Sequence, residues 1–121
     1  MPHIIIEYSD PITETTPEKT LLTAVNKAAI ESHLFAIDSV KTRLMPYKNY
    51  ISAGHDFTPQ GQSESQFIHI TAKILDGRTD EQKLMLGDKI KSALIALGLK
   101  NMSLTIDVTD TIKKTYTKCK I

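Results

Sequence analysis

Cysteine and long apolar runs are the scarcest features of this sequence. The single cysteine, Cys119, cannot form an internal disulfide, and no other Cys or His lies near it at ligand spacing. No apolar run approaches the ~20 residues that cross a bilayer, and the first residues lack the basic and apolar regions of a secretory signal. We therefore expect a cytoplasmic protein that uses no disulfide, metal or other cofactor. The histidines show no metal-ligand spacing and are assigned no role: His3, His33, His55 and His69.

Net charge is also nearly absent. Fifteen Lys and Arg residues are balanced by fourteen Asp and Glu residues, which leaves a formal charge of +1. This balance gives no electrostatic reason to expect nucleic acid or a membrane surface as a partner. The chain has 121 residues, of which 40% are hydrophobic and 24% charged, and we expect one folded domain over 1–121.

The amino terminus carries the most unusual chemical group. A small residue at position 2 normally allows the initiator methionine to be removed, which would leave Pro2 as a free secondary amine. An α-amino group titrates near pH 8, and burial or a nearby cation lowers its pKa further. Pro2 is therefore a candidate general base at neutral pH.

The first half of the chain predicts a β-α-β unit. Ile4 to Ile6 are β-branched and predict a buried strand that is covered on both faces. Thr16 is the predicted N-cap of a helix from Pro17 to about Leu34. A second strand is predicted over 36–47, where alternation places Lys41 and Arg43 on the same face. The predicted inward residues of the helix are Leu21, Leu22, Val25, Ala28 and Ala29.

A second β-α-β unit follows a predicted loop over 46–65, which is rich in Pro, Gly, Ser, Asn and Gln. Clear alternation predicts a strand over 66–75, and Thr79 with Gln82 forms a capping-box pattern that opens a helix over 80–97. The last strand is predicted over 101–107, and the lysine-rich residues after it are predicted as a solvated tail. The predicted buried stripe of this helix is Leu84, Gly87, Ile90, Leu94 and Leu97, and Gly98 is predicted to end it.

The order of elements predicts an α/β (α+β) fold made of two pseudo-repeats, at about 2–47 and 66–109, followed by a tail over 110–121. Two architectures share this order: the split β-α-β of ferredoxin-like domains, and two β-α-β units side by side, each with adjacent parallel strands. Secondary structure alone leaves both open.

Three features stand together in this layout: Pro2, the cationic pair Lys41 and Arg43, and Arg78 in the turn after the third strand. In that combination the chain resembles the tautomerase superfamily and, within it, the 5-carboxymethyl-2-hydroxymuconate isomerase family. The resemblance runs from Pro2 to about Asp110. The matching stretches are Pro2 to Asp10, Val40 to Arg43, Phe67 to Thr71 and Asp76 to Thr79.

The resemblance implies a homotrimer whose sheets form an inner barrel wrapped by helices, and an isomerase of aromatic-compound catabolism that needs no cofactor. Pro2 would move a proton between the hydroxyl oxygen and a carbon of an unsaturated 2-hydroxy dicarboxylate. Lys41, Arg43 and Arg78 would bind the substrate's carboxylates. Lys41 is a departure, because the family has arginine there and lysine lacks the planar fork geometry, so specificity is expected to differ.

Two other classes of function stay open on the sequence. One is a non-catalytic binding or assembly protein with the same fold, and the other is a Pro2-dependent hydratase or dehalogenase. Retention of Met1 would make the Pro2 nitrogen an amide and would abolish catalysis by this base.

Overall fold

The structure, a computed structural model, describes residues 1–52 and 66–121. The predicted loop over 46–65 is shorter at its start, because Pro46 and Tyr47 belong to the second strand. Residues 53–65 of that loop, His55 among them, lie outside the described residues. The elements are β1 (His3–Ser9), α1 (Glu18–Glu31), β2 (Lys41–Tyr47), β3 (Gln66–Leu75), α2 (Asp80–Ala96) and β4 (Met102–Thr111).

The four strands form one sheet in the order β2-β1-β3-β4. β1 is parallel to β2 and β3 is parallel to β4, whereas β1 and β3 are antiparallel neighbours. Each β-α-β unit therefore pairs its own two strands, and the two units meet at the centre of the sheet. The side-by-side architecture is confirmed, and the ferredoxin-like alternative is excluded.

Both helices cover the same face of the sheet. The side chains of β1 and β3 that point to this face are almost fully buried: Ile4, Ile6, Tyr8, Ile68, Ile70, Ala72 and Ile74. From α1 the predicted residues Leu21, Val25, Ala28 and Ala29 are buried, and Leu22 is partly buried at the edge of the core. Alternation along the strands thus predicted the core correctly.

The other face of the sheet carries no helix among the described residues. On β1 this face presents His3, Ile5 and Glu7, which are only partly buried. The expectation that β1 is covered on both faces is therefore wrong for the single chain. Its central position is correct, but in the single chain Ile5 is only partly buried on the face without a helix.

Three boundaries in the first unit differ from the prediction: the start of α1, its end at Glu31 where about Leu34 was predicted, and the start of β2. Pro17, and not Thr16, is the N-cap of α1, and no side chain caps this helix. Thr16 is instead buried, with 7% of its surface exposed. Residues 37–39 form a 3₁₀ turn, so β2 begins at Lys41 rather than at position 36. Polar Asp38 and Ser39 favour such a turn over a strand.

The second unit follows the prediction more closely. β3 has the predicted bounds, α2 opens with the predicted capping box, and Gly98 follows the helix with a φ of 84°, a left-handed conformation that glycine adopts at low cost. Leu84 was predicted to be buried but is 69% exposed, because the buried residues of α2 are Leu86, Ile90 and Leu94. β4 continues four residues beyond the predicted end at Asp107, since Val108 to Thr111 still pair with β3.

The capping box of α2 provides a test of local stability. The Thr79 hydroxyl accepts a hydrogen bond from the Gln82 backbone N–H, and the Gln82 side chain accepts one from the Thr79 N–H. We expect Thr79→Ala to lower the free energy of unfolding by about 1 kcal/mol, because the Gln82 N–H at the helix start loses its acceptor. Chemical denaturation measures this loss. Thr23→Ala, at an exposed position inside α1, is the control and should not destabilise the protein.

Neither α1 nor α2 is long and apolar enough to cross a bilayer, and they are the α-helices of the described residues. The predicted cytoplasmic location stays a prediction.

Candidate active site

One end of the sheet collects the predicted site residues. β1 and β2 both begin there, with His3 opposite Lys41, and β3 and β4 both end there, with Leu75 opposite Thr111. We call this the amino-terminal end of the sheet. Pro2 precedes β1, Arg78 follows β3, and the carboxy-terminal residues follow β4, so three distant parts of the chain meet at one edge.

A pocket of about 450 Å³ lies at this end. Met1 and His3 line it from β1, and Pro2 is buried between them. The carbonyl of Pro2 accepts a hydrogen bond of 3.1 Å from the backbone N–H of Lys41, which fixes the start of β1 against β2. Lys41 and the carboxy-terminal residues complete the lining, together with Asp38 and Ser39.

The electrostatics of this amino-terminal pocket disfavour a protonated amine. Burial lowers the pKa of the Met1 α-amino group below its ordinary value of 8.0, and the positive charges of Lys41 and Lys118 lower it further. An ammonium loses hydration in the pocket and meets like charges there. An amine at this place is therefore neutral at a lower pH than an exposed one.

His3 is held in one tautomer by its two neighbours. Arg43 Nη1 lies 3.1 Å from His3 Nδ1, and Tyr116 Oη lies 3.3 Å from His3 Nε2. A guanidinium only donates hydrogen bonds, so Nδ1 is the acceptor and carries no proton. The Nε2–H group then donates to Tyr116. Burial and, after it, the charge of Arg43 lower the pKa of His3 from its ordinary 6.5.

Removal of Arg43 should release His3. We expect Arg43→Leu to raise the His3 pKa, because the nearest like charge disappears and Nδ1 is free to take a proton. In the wild-type protein His3 charges only at a pH below its ordinary 6.5, and in the variant it charges at a higher pH. Long-range ¹H–¹⁵N NMR of the imidazole nitrogens over pH 4–8 measures both values. Arg43→Lys keeps the charge and is the control; equal pKa values in wild type and Arg43→Leu would contradict the contact.

Arg78 lies at the same end of the sheet but on the side of the helices. Its Nη2 donates a hydrogen bond to the carbonyl of Leu34, and the guanidinium carbon lies 5.5 Å from the centre of the Phe35 ring. Both contacts are to the connection between α1 and β2. Arg78 does not line the amino-terminal pocket in the single chain.

The structure thus brings together only part of the predicted set. Pro2 and Lys41 lie together at the pocket. Arg43 does not line the pocket and contacts His3, whereas Arg78 contacts the α1–β2 connection. Sequence reasoning assigned no role to His3 and treated Tyr116 and Lys118 as parts of a solvated tail. Alternation along β1 could have placed His3 on the face away from Ile4 and Ile6, but its approach to Lys41 depends on the register of β1 and β2. The contact with Tyr116 spans 113 positions and has no local signal.

No cluster of three or more His, Cys, Asp or Glu side chains in 1–52 and 66–121 could hold a metal ion. What the site offers is a buried amino-terminal segment in a cationic pocket.

Comparison with known proteins assigns the family. The model of the 5-carboxymethyl-2-hydroxymuconate isomerase family matches residues 2–118. The chain belongs to this family. The predicted family and the prediction of an isomerase are thereby confirmed. Among curated proteins, no sequence is significantly similar to the chain.

Solved structures of isomerases share the fold. A crystal structure of 5-carboxymethyl-2-hydroxymuconate delta-isomerase has a TM-score of 0.80 at 17% identity, over 99% of this chain and 89% of that one. The 5-carboxymethyl-2-hydroxymuconate isomerase of Deinococcus radiodurans R1 has a TM-score of 0.76 at 21% identity, over 98% and 88%. A fused 4-OT, solved as a symmetric trimer, has a TM-score of 0.73 at 23% identity, over 93% and 87%. The tautomerase-like fold is therefore confirmed.

Proposed function

We propose that this isomerase interconverts an unsaturated 2-hydroxy dicarboxylate, such as 2-hydroxymuconate or its 5-carboxymethyl derivative with a third carboxylate, and its 2-keto isomer, with Pro2 as the general base. The observation that carries the proposal is the burial of Pro2 between two residues that line a cationic pocket. Met1 lines this pocket, so its removal exposes the Pro2 nitrogen to the same space. Burial, Lys41 and Lys118, which lower the pKa of an amine there, would act on Pro2 in the same direction.

The reaction needs one group that first accepts a proton and then donates it. The neutral Pro2 nitrogen takes the proton from the substrate's hydroxyl oxygen, and the negative charge spreads over the dienolate. The same nitrogen then returns the proton to a carbon, which gives the keto acid and regenerates the neutral amine. Positive charge beside the dienolate lowers the energy of the transition state, and Lys41 is the cation next to Pro2 in this pocket.

The other two cations have different parts in the proposal. Arg43 binds a substrate carboxylate from the sheet face, and its hydrogen bond to Nδ1 keeps His3 neutral. Arg78 binds a second carboxylate at the edge. Its contact with Leu34 uses one of the five donors of the guanidinium, so the fork remains available for a bidentate grip.

The proposal includes assembly as a homotrimer. Within residues 1–52 and 66–121, β2 and β4 each have one neighbour in the sheet and present open edges, and the helix-free face exposes 46% of Met45. Closure of three sheets into a barrel would pair these edges and cover that face. Light scattering should give three times the chain mass of 13.5 kDa at micromolar concentration. A mass of 13.5 kDa under these conditions would contradict the trimer.

The decisive test of the activity is ketonisation of 2-hydroxymuconate, followed in the ultraviolet. Intact mass spectrometry must first establish that Met1 is absent. We expect ketonisation well above the rate in buffer. No acceleration by protein that starts at Pro2 would reject the proposed function.

A further inference from the structure

We propose that the carboxy-terminal segment, residues 112–121, forms one wall of the amino-terminal pocket, and that Lys118 on it binds a carboxylate of the substrate. This inference rests on the proposed function, because it takes the pocket as the place where the substrate binds. It makes the pocket selective for dicarboxylates over monocarboxylates. It also assigns a binding role to residues that the sequence predicts as a solvated tail.

The segment is attached to the core of the protein at its start and near its middle. The Asp76 N–H donates to the Thr111 carbonyl at 3.0 Å, and the Asp76 carboxylate accepts from the Lys113 N–H at 3.3 Å. A 3₁₀ turn over Lys113–Thr115 then redirects the chain toward β1, where Tyr116 meets His3. The residues from Tyr116 to Lys120 therefore line the pocket, although Thr117 to Lys120 keep exposed surface.

The charges that line the pocket favour an anion. Lys41 contributes a cation from β2, and Lys118 and Lys120 contribute two from the carboxy-terminal segment. Asp38 is the one carboxylate among the described lining residues. Lys118 is the lysine of the segment whose charge is felt at the Met1 amino group, where it acts with Lys41. The two ammonium groups, on two separate walls, thus both act on the amino group of the residue that precedes the proposed base.

Two cations on different walls suit a substrate with two carboxylates. Each ammonium is a compact point charge with three donors, and it binds a carboxylate without the fixed geometry that a guanidinium requires. A carboxylate accepts several hydrogen bonds, so Lys118 can share with Arg43 or Arg78 the carboxylate that a diacid has and a monoacid lacks. Because charge-assisted hydrogen bonds are the strong ones, we expect the second contact to change affinity on the order of tenfold.

The test compares two ligands that differ by one carboxylate. trans,trans-Muconate and trans,trans-sorbate are both six-carbon dienoates, and only muconate has the second carboxylate. Isothermal titration calorimetry at pH 7 measures their dissociation constants on the full chain. We expect Lys118→Met to weaken muconate binding about tenfold and to leave sorbate binding unchanged, and Lys118→Arg to restore muconate binding. Lys114→Met is the matched control, because Lys114 is an exposed lysine of the same segment that does not line the pocket.

Each outcome is decisive. Equal binding of muconate and sorbate by the wild-type protein would overturn the inference, as would an equal effect of Lys118→Met and Lys114→Met. Binding is measured without turnover, so the proposed function is tested separately. Lys118-dependent muconate binding in a protein without ketonisation would reject the proposed function and support the dicarboxylate site.

Discussion

Replacement of Pro2 by alanine is expected to lower kcat/KM by ~10²-fold, at the lower end of what a positioned general base contributes. Alanine is also small, so Met1 is removed and an amine remains at the same place. That amine is primary and is not held by the pyrrolidine ring, so its lone pair is no longer fixed toward the substrate. The measurement is steady-state ketonisation of 2-hydroxymuconate by both proteins, after intact mass confirms the amino terminus.

A second variant tests the basicity of the Pro2 nitrogen separately from the presence of its ring. A chain with one extra residue before Pro2 keeps the pyrrolidine but turns its nitrogen into an amide, which is not basic. We expect its rate to equal that of buffer. Undiminished turnover in either variant would show that the base is elsewhere, and Pro2 would then be only a buried residue before β1.

Lys41→Met is expected to have the second-largest effect, a loss of about 10- to 100-fold in kcat/KM at pH 7, because one charge-assisted contact to the substrate disappears. The pH profile should change as well. The base works when unprotonated, so activity is present above its pKa and is lost as the pH falls through it. Lys41 lowers the pKa of an amine in this pocket. Its removal should therefore raise that pKa toward the ordinary 8.0 of an α-amino group, and the loss of activity on the acid side of the profile (the acid limb) should move to higher pH.

Lys41→Arg provides the control, because it keeps the charge and adds the planar fork of a guanidinium. We expect its acid limb to match the wild type and its kcat/KM to remain within about threefold. If Lys41→Met and Lys41→Arg lost activity equally and with the same pH profile, the charge at this position would have no role in the reaction.

The sequence predicts the elements of this fold better than their boundaries and contacts. Strict alternation fixed β3 at both ends, since every second residue from Ile68 to Ile74 is buried. In α2 two apolar stripes overlap, one through Leu84 and one through Leu86, and only packing against the sheet selects Leu86. Thr16 fits the N-cap pattern but is buried instead, because the 3₁₀ turn over Asp10–Glu14 brings it against the core.

Prediction of the candidate site is limited by register. Residue type and strand alternation are enough to choose Pro2, Lys41 and Arg43 as a group. The pairing of His3 with Lys41, which brings that group to one edge, depends on how β1 and β2 align. The approach of Tyr116 and Lys118 depends on the direction of β4 and on the turn after it, and neither is encoded in a local pattern.

The antiparallel meeting of β1 and β3 gives the sheet two similar ends, but a polypeptide has only one amino terminus. Gln66 begins β3 as an interior residue, so its nitrogen is an amide and cannot titrate. The opposite end of the sheet instead gathers aromatic rings, with Phe67 6.2 Å from Tyr47 and 5.4 Å from Tyr50. In any assembly of this chain, half of the equivalent ends therefore carry an interior amide where the other half carry the start of the chain.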